Sequence, residues 1–295
     1  MAPPTPAQRH ARRAVRFQRL GPAKGLAGLA ATASVVVPAE MLLRTVTRAK
    51  RPLLPTLFHR GLARSLGIRI IVHGRAARRR GVLFVANHIS WADIPVLGAR
   101  IRGSFVAKSE VGAMGPIAWL ANLARTVYVE RARRSHAGAQ RDSIAARLAA
   151  GENIILFPEG TNSDGSRVLP FKSALFGVAD GVADLLIQPV TIAYTRVNGL
   201  PVTRELLPDL AWIGETELMP HAMAFMALGR VRAEVMFHAA VRPEDFADRK
   251  ALARHCETVI AAGYRALMRG GLTGTVPPGA AATDDFEDDR PVAAG

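Results

Sequence analysis

The sequence predicts an α/β fold: a mostly parallel sheet flanked by helices, with an N-terminal membrane-associated helical segment. Three observations carry this reading. From residue 68 onward, apolar runs of strand length alternate with segments of helical periodicity, the pattern of parallel strands joined by crossover helices. An uncharged run of Gly, Ala, Leu and Val occupies residues 25–39. Basic charge is concentrated ahead of the alternating region. Residues 1–80 hold 17 Lys and Arg against one acidic residue, Glu40, whereas the remaining 215 hold 22 against 23.

Composition sets outer bounds. A hydrophobic share of 49% with 21% charged residues suits a globular chain with a sizeable core. The single cysteine, Cys256, excludes an internal disulfide framework and a Cys-based zinc site. A net charge of +15 that resides in the first quarter suits an anionic surface, either nucleic acid or an anionic leaflet. The arm lacks aromatic interleaving and any recognisable nucleic-acid motif, so a membrane surface with anionic lipid is the expected partner and nucleic acid is not.

In chain order, residues 1–24 read as a basic flexible arm rich in Pro and Arg. Residues 25–67 read as N-terminal membrane-associated helices. The first run ends at Pro38 and Glu40. At about 15 residues it is shorter than the roughly 20 that span a bilayer. Extending it through Val46 takes in Pro38, Glu40 and Arg44, so an interfacial or re-entrant helix anchored by flanking bases fits better than a clean span. The alternative is a buried Ala-rich helix. A second helix is expected over 56–67.

Residues 68–270 form the α/β domain. Strands are expected at Ile68–His73, Gly81–Ala86, Ser104–Lys108, Thr126–Val129, Asn153–Phe157, Gln188–Tyr194 and Arg230–Phe237. Helices are expected at Asp93–Arg102, Gly115–Ala124, Ala137–Ala150, Ser173–Leu186 and Pro243–Arg269. Residues 271–295 are Gly-, Ala- and Asp-rich and read as a disordered acidic tail. In a parallel sheet ligands gather beyond the C-terminal strand ends. His88, Arg131 and Glu159 each follow such an end.

Four stretches could carry chemistry. In the first, His88 precedes Asp93 by five positions. An imidazole suits proton transfer near neutral pH, and a carboxylate can orient it. Inside one helix the two would diverge by about 140°, so pairing requires His88 in the turn and Asp93 in the first helical turn. Asp93 equally suits a plain helix cap, alone or with Ser90. In the second, Phe157–Thr161 reads PheProGluGlyThr, a strand end broken by Pro158 and turned at Gly160. Glu159 and Thr161 offer polar groups there, though an ordinary turn would look the same. In the third, Thr126–Val129 delivers Arg131, whose planar fork suits phosphate oxygens. A solvated basic cluster with Arg133 and Arg134 is the alternative. The fourth, Gln188–Tyr194 with Pro189, carries no obvious reactive group. Neither a G-x-S-x-G turn nor a cysteine nucleophile occurs, so a base at His88 would activate a substrate group.

Taken in order, Asn87-His88-x4-Asp93, Tyr128–Arg131, Phe157–Thr161 and Pro189-Val190 resemble the motifs of the glycerolipid (lysophospholipid) acyltransferase family, 1-acylglycerol-3-phosphate acyltransferases among them. The segments at 106–110 and 169–172 are also similar, and the likeness covers about residues 70–195. It implies a membrane enzyme of lipid biosynthesis, at the cytoplasmic face of the inner membrane. Such an enzyme moves a fatty acyl group from a thioester, acyl-CoA or acyl carrier protein, to the free hydroxyl of a lysolipid. No bound cofactor or metal is implied. By the resemblance His88 is the base and Asp93 its orienting partner, and Arg131, Glu159, Gly160 and Thr161 bind the acceptor. Glu159 is expected to meet a hydroxyl or hold a basic side chain, and Lys108 and Lys172 are further candidates for phosphate contact. The first acceptor implied is 1-acylglycerol-3-phosphate, giving phosphatidic acid. Asn162 stands where many members carry Arg, and Arg125 where Gly is usual. These departures bring in a lyso-ornithine lipid as the alternative acceptor. A non-catalytic lipid-binding protein on the same fold is the remaining alternative.

Overall fold

The computed structural model describes residues 20–47, 54–108, 126–129, 137–214 and 216–270. Two helices lead the chain, α1 at Gly21–Thr47 and α2 at Pro55–Ser65. Then follow β1 (Ile68–His73), β2 (Val82–Ala86), α3 (Asp93–Gly98), β3 (Ser104–Lys108), β4 (Val127–Val129), α4 (Ala137–Ala149) and β5 (Ile154–Leu156). A 3-10 helix at Ser173–Gly181 precedes β6 (Leu186–Val197) and β7 (Leu200–Pro201). The chain then forms α5 (Leu207–Leu210), α6 (Leu218–Ala227), β8 (Val231–Phe237) and α7 (Arg249–Met268).

The sheet order is β1-β8-β6-β2-β5-β3-β4, with β7 paired to β6. Neighbouring strands run parallel except where β6 meets β8 and β7. The centre is β2, whose five residues are all buried. An unbroken apolar run is the mark of a strand covered on both faces. Val82, Phe84 and Ala86 join one core with residues of α2, α3, α5 and α6, while Leu83 and Val85 join a second with residues of α4 and α7. Burial on both sides holds β2 rigid, and the turn that follows it inherits a fixed position.

Several boundaries differ from expectation. The helix after His88 stops at Gly98 rather than Arg102. The segment after Lys172 is a nine-residue 3-10 helix rather than a helix to Leu186. The C-terminal helix begins at Arg249, where Asp248 caps the N–H of Ala251 at 2.7 Å; Pro243–Asp245 forms a separate 3-10 turn. Both α5 and α6 lack a counterpart among the expected elements. The helix expected at 115–124, the segment at 109–110 and the tail at 271–295 lie outside the described residues, as do residues 1–19 of the arm.

The largest correction is in α1. It starts at Gly21 and runs 27 residues through Pro38 and Glu40, where an end was expected. Glu40 is buried, and its carboxylate accepts the N–H of Leu54 at 2.7 Å, just before α2. An acid there satisfies an orphan donor and complements the positive end of the next helix. A charge that reads as a break is thus an interhelical tie. Close approach is set by small residues: a Cβ on Gly61 would lie 2.3 Å from Cγ2 of Thr32. By length and composition α1 could cross a membrane. Val35, Met41, Leu42 and Val46 are each more than half exposed along it.

Candidate active site

The site begins at the end of β2. Asn87 is buried and extends the sheet by side chain: its Nδ2 donates to the Ile192 carbonyl and its Oδ1 accepts the Ile192 N–H, both at 2.9 Å. This clamps the start of the turn to β6. His88 then leaves the strand direction, and its carbonyl accepts the Ser163 N–H at 2.8 Å. Asp93 occupies the first turn of α3, the position that pairing with His88 requires.

The two side chains meet. His88 Nδ1 lies 2.8 Å from Asp93 Oδ2. With a carboxylate at Nδ1, that nitrogen carries the proton and Nε2 is left as the acceptor. Asp93 is fully buried, and a buried carboxylate needs donors. Its Oδ2 also accepts the N–H groups of Ile89 at 2.6 Å and Ser90 at 2.9 Å. Its Oδ1 accepts the Tyr194 hydroxyl at 2.8 Å. Asp93 does not cap α3, which starts after Ala92 without a side-chain cap, and the Ser90 hydroxyl has no hydrogen-bond partner among the described residues. The carboxylate instead binds two amides of the preceding turn together with the imidazole. The imidazole stacks on Phe157, with centroids 4.0 Å apart and planes 13° from parallel. With its side chain 17% exposed, the ring keeps an edge open.

The PheProGluGlyThr turn packs against this assembly. Glu159 is buried, and both its oxygens are taken by main-chain donors: His88 N at 2.8 Å and Leu169 N at 3.0 Å. Among the described residues its hydrogen-bond partners are these two loop amides. Burial, only partly offset by those two hydrogen bonds, pushes its carboxyl up to about 8. Gly160 has φ near 73°, a conformation that favours glycine. A Cβ there would also lie 2.7 Å from Lys172 Nζ, so the lysine chain crosses directly over this residue. Thr161 is exposed beside it, and the Asn162 Nδ2 is buried with no hydrogen-bond partner among the described residues. Arg131 and the side chain of Lys108 lie outside the described residues.

Two further supports were not visible in the sequence. Trp91 Nε1 donates to His221 Nδ1 at 2.9 Å, and His221 Nε2 donates to the Ala211 carbonyl at 3.0 Å. Trp212 N donates to the Ile89 carbonyl at 3.0 Å. The segment holding α5 and α6 is thereby fastened to the His88–Asp93 turn. From the other side, the Tyr264 hydroxyl of α7 donates to the Gly165 carbonyl. Among the described residues no three His, Cys, Asp or Glu side chains gather as metal ligands.

A family model described as Acyltransferase matches residues 69–193. The chain is 43% identical over 259 residues to a lyso-ornithine lipid O-acyltransferase of Brucella abortus (strain 2308), covering 86% of this chain and 96% of the relative. It is 36% identical over 265 residues to the lyso-ornithine lipid O-acyltransferase of Rhizobium meliloti (strain 1021), covering 86% and 91%. A 1-acyl-sn-glycerol-3-phosphate acyltransferase of Neisseria meningitidis is 34% identical over 154 residues, covering 51% and 59%. In fold the chain is similar to the crystal structure of the 1-acyl-sn-glycerophosphate acyltransferase from Thermotoga maritima. The TM-score is 0.56 at 20% identity, covering 84% of this chain and 95% of that one.

Proposed function

This chain belongs to the acyltransferase family, and we propose that it transfers a fatty acyl group from an acyl thioester to the free hydroxyl of a lyso-ornithine lipid. The observation that carries the chemistry is the His88–Asp93 hydrogen bond at the end of β2, which leaves Nε2 free to accept a proton. The acceptor reading rests on relatives matched over nearly their whole length. Asn162, which removes a cation from the acceptor turn, favours it further.

In this reading the acceptor hydroxyl gives its proton to His88 Nε2 as its oxygen attacks the thioester carbonyl carbon. Asp93 stabilises the imidazolium. The tetrahedral intermediate then expels sulfur: the C–S bond breaks, and the proton on His88 passes to the leaving thiolate. Products are the O-acylated lipid and a free thiol. Gly160, Thr161 and Arg131 serve the acceptor's headgroup side. Glu159 fixes the turn beside the acceptor through its two main-chain hydrogen bonds. The donor is acyl-CoA or acyl carrier protein. Exposed apolar residues of α1, with the bases around it, hold the domain at an anionic membrane surface on the cytoplasmic side, where both fatty substrates reside.

A second acceptor, 1-acylglycerol-3-phosphate, has support from the Neisseria relative over about half the chain. The deciding experiment is an acceptor panel in detergent, with acyl-CoA and acyl carrier protein donors and His88→Ala as control. Turnover of lyso-ornithine lipid above lysophosphatidate is expected, with loss of about 10²–10⁴-fold in the variant. Full activity in His88→Ala would end the base assignment. Turnover of lysophosphatidate alone would end the acceptor assignment.

A further inference from the structure

We infer that Tyr194 is a positioning residue for acyl transfer, acting through Asp93 to set the proton affinity of His88; this rests on the reading of His88 as base. The strand that carries it, β6, presents no reactive group to a sequence reader. Yet Tyr194 is 2% exposed and its hydroxyl lies 2.8 Å from Asp93 Oδ1. The two carboxylate oxygens have different work. Oδ2 serves His88 and two turn amides. Among the described residues, Oδ1 has only the tyrosine.

The consequence is electrostatic. A donor on Oδ1 draws anionic charge away from Oδ2 and so weakens the hold of Asp93 on a protonated imidazole. Without that donor, Oδ1 is bare in a dry site, the carboxylate becomes more basic, and His88 keeps its proton to higher pH. Burial, then the Asp93 charge, raise the Tyr194 phenol well above its ordinary range, so it remains a donor throughout. The ring is fixed independently by an edge contact with Phe225, centroids 6.1 Å apart, which a phenylalanine would keep. Among the described residues, Glu159 on the turn after β5 and Tyr264 on α7 feel the Asp93 charge, with Asp164 near Tyr264 and Lys172 lying over Gly160. None of these donates a side-chain hydrogen bond to Asp93.

The test is the pH dependence of kcat/KM in the full chain, for Tyr194→Phe and for 3-fluorotyrosine placed at 194. Losing the donor is expected to move the acid limb up by about 0.5–1 pH unit; strengthening it with the more acidic phenol moves the limb down. The KM for acceptor stays within about twofold and the loss falls in kcat. In an Asp93→Asn background the same Tyr194→Phe change costs no more than about twofold. A limb that stays put in both variants, or an equal loss in the Asp93→Asn background, overturns the role of Tyr194. His88→Ala with full activity overturns the base assignment beneath it, so the two failures are distinguishable. Should Tyr194→Phe not fold, the fluorinated protein decides alone.

Discussion

Glu159 receives the main-chain N–H of His88 at 2.8 Å, so the turn after β5 holds the turn after β2 by a single carboxylate. The same side chain takes the Leu169 N–H with its other oxygen. Replacing Glu159 with Gln would aim an NH2 group at one of these donors. A loss of stability of about 1–3 kcal/mol is expected, with reduced kcat. The pH sign follows from its raised carboxyl, about 8 against an ordinary 4.5. Between those values the folded state holds a proton that the unfolded state releases, so this group's contribution to stability falls as pH rises. The deficit of Glu159→Gln relative to wild type should therefore be larger at pH 5.5 than at pH 8 in denaturant titrations. An unchanged or reversed difference would refute the assignment.

Asn87 makes the other tie, a two-way hydrogen bond with the main chain of Ile192. Asn87→Asp keeps the shape but sets a carboxylate oxygen against the Ile192 carbonyl. About 1–3 kcal/mol of destabilisation is expected, with a fall in kcat larger than any change in acceptor KM. Thermal unfolding together with steady-state kinetics tests both parts.

Acid stability should depend on the far edge of the sheet. Glu234 on β8 accepts from Thr195 at 2.7 Å and lies 2.7 Å from His73 Nε2 and 3.1 Å from Arg232 Nε. Burial opposes its charge, but His73, Thr195 and Arg232 outweigh that and hold the carboxyl below its ordinary value. A depressed carboxyl stabilises the fold above its unfolded pKa, and that contribution is lost as pH falls through the folded value. Glu234→Gln should lower stability at neutral pH and flatten the decline below about pH 4.5, as read by urea midpoints across pH. An acid limb as steep as wild type would contradict this.

The exposed face of α1 supplies the fourth test. Val35→Glu, Leu42→Glu and Val46→Glu together should cut co-sedimentation with anionic vesicles more than about tenfold, since each apolar side chain is worth about 1.5–3 kcal/mol when buried. Glutamate preserves helix propensity, so unfolding in detergent should be little changed. Undiminished vesicle binding would place the membrane contact elsewhere.

Much of this was readable in advance for one reason: local patterns report local structure. An unbroken apolar run marked the buried central strand β2, and β1 and β3 lie at their expected ends. Motif order indicated the acyltransferase family ahead of the fold. Glu40 reads in sequence as the end of a helix, whereas it is buried and accepts the Leu54 N–H; the burial of Glu159 against the N–H groups of His88 and Leu169 has no local signature either. Asp93 was ambiguous because a cap and an orienting carboxylate call for the same residue at the same position.

By itself, then, the sequence determined the alternation of strands and helices, the uneven charge, and the presence of a candidate base five positions before a carboxylate. These follow from periodicity, composition and spacing, all of which act over a few residues. Only the tertiary structure decided that Tyr194 completes Asp93, that Asn87 is clamped to Ile192, and that the α5–α6 segment fastens to the turn through His221. Those partners are 101, 105 and 130 residues apart in the chain. No local pattern encodes them, because the first two arise where β2 and β6 lie side by side and the third where α6 packs on the turn after β2, and a buried polar atom takes whichever partner the fold brings within reach.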